Sequence, residues 1–361
     1  MRLLDESPAV RFEAPRTTYA GAPAERRGLA RDGVRLLVAD GATGVTHTRF
    51  DRIGDHLSAG DLLVVNDSAT VAGALDGRSE RHGDVVVHLA MPLDDDTWVV
   101  EVRRAPDADR SILDAQAGDT ISIAAGRTVL RLQEPYPPAG SSPTGVGNRL
   151  WRAVPTGAPL ARTAHRYGRA IAYGYLDDRY PLSDYQTVFA RVPGSAEMAS
   201  AARPFTADLV TRLVARGVLL APVTLHTGLS SQEAGESPQA ERFVVPAATA
   251  DLVNLVRSRG RRVVAVGTSA TRALESAVVA GSPTTVAATA GWTTRVVTPG
   301  RPPAVVDGLV TGWHDPGASH LLLVEAVAGA ALAQQAYAAA THGGYLWHEF
   351  GDSCLLLPAR P

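Results

Sequence analysis

Three short stretches of this sequence place hydroxyl or ionisable side chains where the backbone also favours a ligand. Arg261-Arg-Val-Val-Ala-Val-Gly267 is an apolar run that ends at a glycine and leads into Thr268-Ser-Ala-Thr-Arg272. A strand that turns at Gly267 into a helix leaves the first helical N–H groups without partners, and such groups attract an anion. Thr268 and Ser269 would receive a carboxylate there, with Arg272 as a clamp; the pattern also describes a plain strand–turn–helix connection with capping hydroxyls. Val223-Thr-Leu-His-Thr-Gly228 sets Thr224 and His226 at the end of a second apolar run, the position at which open α/β sheets bind ligands. Asp307-Gly-Leu-Val-Thr-Gly-Trp-His314 repeats the theme ahead of Pro316. Histidines titrate near neutrality and serve as acids or bases, and more often as structural hydrogen-bonders. Spacing alone assigns no chemistry to Tyr185 and Gln186, which lead into Pro193-Gly-Ser195, or to Asp352.

Composition removes several alternatives. All 35 basic residues are arginine. Schiff-base catalysis and Walker-type phosphate loops both need lysine, so neither is available. One cysteine, Cys354, allows neither an internal disulfide nor a multi-cysteine metal site. His82, His88, His342 and His348 show no metal-binding spacing, so no metal and no prosthetic group is expected. A net charge of −2 means that any tRNA contact would rest on a local arginine patch. There is no secretory leader and no apolar run of membrane-spanning length, which points to a cytoplasmic protein without a membrane partner. Asp94, Asp95 and Asp96 read as a solvated turn.

The elements that must position these residues are legible in outline. Val34–Ala39, Asp61–Val65, Asp84–Ala90, Thr97–Arg103, Thr120–Ala124 and Thr128–Leu132 are Val-rich or alternating runs between Gly, Asp and Pro turns. They predict strands, antiparallel in the segment from about 71 to 154, with a loop from Pro135 through Gly147. Beyond Tyr185 the period changes. A helix capped by Thr206 stops at Gly217 before a strand over 218–225; a helix over 247–259 stops at Gly260 before a strand over 262–266. A helix over 269–279 and one long helix over 321–340 follow. The expectation is an α/β fold with a largely parallel sheet: a discontinuous, barrel-like α/β body of residues 1–70 and 155–361, interrupted by a small antiparallel β-barrel over 71–154. His226, Thr224, Thr268, Arg272, Tyr185, His314 and Asp352 should then converge on one cleft at the strand ends.

Taken in order, these segments resemble the S-adenosylmethionine:tRNA ribosyltransferase-isomerases of queuosine synthesis over nearly the whole chain. Asp61-Leu-Leu-Val-Val-Asn-Asp67, Tyr185-Gln-Thr-Val-Phe-Ala190 with Pro193-Gly-Ser195, and Val223 through Gly228 match that family's motifs. So do Gly267-Thr268 through Arg272 with Leu274-Glu-Ser276, Asp307 through Thr311 with His314 and Pro316, and Gly351-Asp352. The resemblance implies an α/β body with an inserted β-barrel, and S-adenosylmethionine as a substrate. Its ribosyl part would pass to the aminomethyl group of a 7-deazaguanine in tRNA, releasing adenine and methionine and leaving an epoxycyclopentanediol. A base that removes a proton from the carbon beside the sulfonium would start that chemistry. His226 and His314 are the candidates for base or acid, and Tyr185 or Trp313 for cation–π support of the sulfonium.

The chain departs from the family pattern at several positions. Arg203 and Pro204 stand where a leucine and a histidine are usual, and Ala69 and Ala74 replace arginines. Gly312-Trp-His314 replaces Asn-Phe-His, and Leu229-Ser-Ser-Gln-Glu233 recasts the segment after Gly228. Three readings are open: the family reaction on tRNA, a related S-adenosylmethionine reaction on a small nucleobase or amine or cleavage of the donor alone, and a non-catalytic S-adenosylmethionine-binding protein. The oligomeric state is not encoded in any of these features.

Overall fold

A computed structural model describes residues 4–13, 16–138, 140–141, 146–229 and 237–359. Three strands, β1 (Arg35–Asp40), β2 (Gly44–Arg49) and β3 (Leu62–Asn66), come first. Next come β4 (Ala74–Ser79), β5 (Gly83–Pro92), β6 (Trp98–Arg104), β7 (Thr120–Ile123), β8 (Thr128–Pro135) and β9 (Leu150–Gly157). After them lie β10 (Leu219–Leu225), β11 (Glu241–Val245), β12 (Val263–Val266), β13 (Thr289–Thr293), β14 (Gly308–Thr311) and β15 (Ser353–Leu357). Strands β4 to β9 close into an antiparallel barrel in the order β9-β6-β5-β4-β7-β8. The other nine form one sheet, β13-β11-β10-β3-β12-β14-β15-β1-β2.

That sheet is open, with β13 and β2 at its edges, in place of a barrel-like closure. It is also mixed, not largely parallel. The four adjacent strands β10-β3-β12-β14 run parallel, whereas β15 is antiparallel to β14, and β2, β11 and β13 each pair antiparallel with a neighbour. Its central strands are buried on both faces. Leu37, Leu62, Val64, Val263 and Ala265 pack into one core, while Leu36, Leu63, Val65, Val264 and Val266 pack into the other. Alternate side chains of a strand point to opposite faces, so a strand covered on both sides reads as an unbroken apolar run.

The helices are α1 (Leu160–Tyr167), α2 (Ala207–Ala215), α3 (Ala247–Ser258), α4 (Thr268–Ser276), α5 (Ser319–Ala328) and α6 (Ala330–His342). Thr206 caps α2 by accepting the Leu209 N–H at 3.2 Å, and Gly217 comes just after its end with φ +83°. The single helix expected over 321–340 is broken. Gly329 takes φ +79° and ψ 145°, and α5 and α6 meet there at 117°. A residue with that backbone cannot continue the helical ladder; the bend lets α5 cover β14 while α6 covers β1. Among the described residues no single helix is long and apolar enough to cross a membrane.

The acidic run of the barrel is an exposed turn, as expected, and its carboxylates also make contacts. Asp94 bonds to Arg242 and accepts from the Trp292 indole at 2.8 Å, docking the β5–β6 turn on strands β11 and β13, and Asp95 engages Arg152. Residues 139 and 142–145 of the expected loop, and residues 230–233 of the recast segment after Gly228, lie outside the described residues.

Candidate active site

The four parallel strands end side by side, and the residues just beyond each end build the site. Strand β3 runs into Asn66-Asp67-Ser68, β10 into His226-Thr227-Gly228, β12 into Gly267-Thr268-Ser269 and β14 into Gly312-Trp313-His314. Asn66 ties three of these ends together. Its amide donates to the Leu225 carbonyl at 2.9 Å and to Ser269 Oγ at 3.1 Å, and its oxygen accepts the Leu225 and Ser68 N–H groups at 3.0 and 3.1 Å. Gly267 makes the turn into α4 with φ +93°, and a Cβ there would lie 3.3 Å from that of Ala201.

Beyond the strand ends lies a cavity of about 1010 Å³. Thr268, Ser269, Arg272 and His314 line it. Arg272 is already engaged: it pairs with Glu241 and donates to the Arg295 carbonyl at 2.9 Å. His314 stacks on His320 with ring centroids 4.8 Å apart, and burial holds both imidazoles below their usual range, His320 down to about 4.

His226 sits beside the cavity, whose wall its neighbours Thr227 and Gly228 help to form. Its Nδ1 is 2.7 Å from Ser68 Oγ, which is 2.6 Å from Ser195 Oγ. A Cβ at Gly194 would fall 2.6 Å from the imidazole, so only glycine leaves the ring this room. Burial lowers the His226 pKa; Arg242 acts in the same direction and Asp67 against it.

Five of the expected site residues lie outside the cavity lining, His226 beside it and four others further off. Thr224 donates to Asp67 Oδ1 at 2.5 Å within the sheet. Tyr185 is buried with its ring 5.2 Å from that of Phe350, and Gln186 clasps the backbone of Thr70 through both ends of its amide. Asp352 accepts the Arg35 and Leu346 N–H groups at 2.8 and 2.9 Å and borders a separate small cavity beside Arg203 and Pro204. These side chains serve backbone and packing needs that residue type and order along the chain do not reveal. Trp313 reaches the cavity wall but is 2% exposed, packed against Tyr337, Tyr345 and Trp347. Arg203 is buried too, donating to Glu25 at 2.9 Å and lying over the Phe350 ring.

Much of the remaining wall comes from residues that sequence reasoning missed. Tyr173 and Tyr175 stack with centroids 6.1 Å apart, and Tyr175 stacks on His348 at 4.5 Å. Tyr173 donates to Glu197, and Tyr175 to Glu349 at 3.3 Å. Burial, then Glu197, pushes the Glu349 carboxyl up to about 8. His348 adopts φ +67°, a conformation that costs a non-glycine residue roughly 1–3 kcal/mol and gathers at ligand sites. The one available signal was the Tyr-Gly-Tyr175 and His-Glu349 pairings, both in loops and without a spacing rule. Among the described residues no group of three or more His, Cys, Asp or Glu side chains is placed to hold a metal ion.

Comparison with known proteins completes the picture. A family model described as "Queuosine biosynthesis protein" matches residues 8–356. The S-adenosylmethionine:tRNA ribosyltransferase-isomerase of Nitrobacter winogradskyi is 34% identical, over 97% of this chain and 97% of its own. The protein of the same name from Novosphingobium aromaticivorans is also 34% identical, over 96% and 98%. The crystal structure of an S-adenosylmethionine tRNA ribosyltransferase from Thermotoga maritima superposes with a TM-score of 0.51 at 26% identity, covering 96% of this chain and 99% of that one.

Proposed function

The chain belongs to the queuosine biosynthesis protein family, and on that premise we propose that it is an S-adenosylmethionine:tRNA ribosyltransferase-isomerase of the cytoplasm. It moves the ribosyl moiety of S-adenosylmethionine to the aminomethyl group of a 7-deazaguanine in tRNA and releases adenine and methionine. The observation that carries this reading is the end-to-end match at 34% identity to relatives bearing that name. Catalysis belongs to the body on either side of the barrel, which runs three residues past the expected boundary at 154 because β9 stays paired with β8 to Gly157. Residues 71 to 157 are an inserted unit, as suits a barrel none of whose strands pairs with the large sheet.

The donor's carboxylate is received at the start of α4 by the N–H groups and hydroxyls of Thr268 and Ser269. Arg272 reaches it by exchanging one of its present partners. His226, oriented by Ser68 and Ser195, takes the proton from the 5′ carbon that the sulfonium acidifies; His314 is the second proton carrier. A small acceptor is the alternative favoured by Ala69, Ala74 and Pro204, which stand where the family resemblance leads one to expect two arginines and a histidine.

Incubation with S-adenosylmethionine, with and without tRNA carrying the aminomethyl deazaguanine, tests both readings. Adenine and methionine should appear only with that tRNA; release in its absence establishes the small-acceptor or donor-cleavage reading, and no release in either case refutes catalysis. His226→Ala should abolish release and leave donor binding within about tenfold, because a proton acceptor contributes mainly to the transition state.

A further inference from the structure

The cavity has two chemically different ends. At the start of α4, the first N–H groups of the helix, Thr268, Ser269 and Arg272 suit an anion. The wall made by Tyr173, Tyr175, Glu197 and Glu349 suits a cation and a flat ring. At about 1010 Å³ the space is at the upper limit of the roughly 300–1,000 Å³ typical of a site for one small ligand, which leaves room for two reactants.

We propose that this acidic and aromatic wall is the acceptor subsite, where Glu197 and Glu349 receive the aminomethyl ammonium and the deazaguanine lies against the tyrosine rings. The inference rests on the proposed transferase function and names a site for the second substrate. The donor's own cations fit the wall less well. Its ammonium is attached to the carbon that bears its carboxylate, and so belongs near α4. Its sulfonium has no N–H to donate, whereas carboxylates are strongest as acceptors from charged N–H donors. A primary ammonium offers three such donors and the base edge offers more. Burial, then Glu197, raises the Glu349 carboxyl to about 8, so the pair does not set two full negative charges against one ammonium.

Three affinities test this in the full-length protein: for S-adenosylmethionine by calorimetry, for tRNA bearing the aminomethyl deazaguanine, and for the same tRNA bearing guanine at that position. Glu197→Gln should weaken binding of the aminomethyl tRNA about tenfold or more, the loss of one charge-assisted bond. Binding of the guanine tRNA and of S-adenosylmethionine should change by less than about twofold, within the ordinary scatter of a substitution that removes no contact. Tyr173→Phe removes only the hydroxyl that holds Glu197; it should shift the same preference in the same direction and serves if the glutamine variant does not fold. Equal weakening for both tRNAs, or weakened donor binding, overturns the proposal. So does an unchanged preference in variants of an enzyme whose wild type turns over. A wild type that releases no adenine with the aminomethyl tRNA overturns the functional reading itself.

Discussion

His226 has one ring nitrogen committed, and among the described residues no hydrogen bond engages the other. The 2.7 Å contact from Nδ1 to Ser68 orients the ring, and on the proposed mechanism Nε2 carries the proton transfer. A base must be unprotonated to act. Because burial lowers the folded pKa from its usual 6.5, the ring keeps its free electron pair to more acid pH than an exposed imidazole. The acid limb of turnover should therefore fall below pH 6.5, and a pH–rate profile with its limb at or above that value would exclude His226 as the base. Ser68→Ala removes the Nδ1 partner and should slow turnover by up to the roughly 10²-fold that a well-positioned base contributes.

At the scale of elements, the break between α5 and α6 makes a prediction of definite sign. In a continuous helix Gly329→Ala would stabilise the protein by about 1 kcal/mol, because alanine is the better helix former. At φ +79° and ψ 145° the same substitution should instead destabilise it, by about 1–3 kcal/mol, which urea denaturation measures. Sequence alone missed this break because Val-Ala-Gly-Ala-Ala331 reads as a helix tolerating one glycine. The terminators at Gly217 and Gly260 were legible because each comes after an amphipathic run and precedes an apolar one. Buried parallel strands announced themselves as apolar runs. Strand β2, with a mostly polar and half-exposed sequence, and β11, which alternates buried and exposed residues, gave no such signal. The strand-end motifs of the site were legible because each is local. Tyr173, Glu197 and Glu349 meet only through the tertiary fold, and nothing in their immediate neighbours marks them as partners.

For the whole molecule, the lone cysteine is informative. Cys354 is 1% exposed in β15, and burial raises its thiol pKa. The reactive form is the thiolate, so alkylation of the folded protein should proceed only at the rate at which this strand is exposed. Labelling with a thiol reagent should track global unfolding, as monitored by tryptophan fluorescence; rapid labelling of the native protein would contradict this placement. The position of β15 in the sheet carries a further consequence for how the chain is made. This final strand in chain order lies between β14 and β1, parallel to the earliest strand of the chain. A ribosome delivering the polypeptide from its first residue onward therefore releases β1 and β2 long before their neighbour exists. Until β15 emerges, one edge of each half of the sheet is open to pairing with other strands, and the nascent chain depends on a strand made after all the others of the sheet to close the gap.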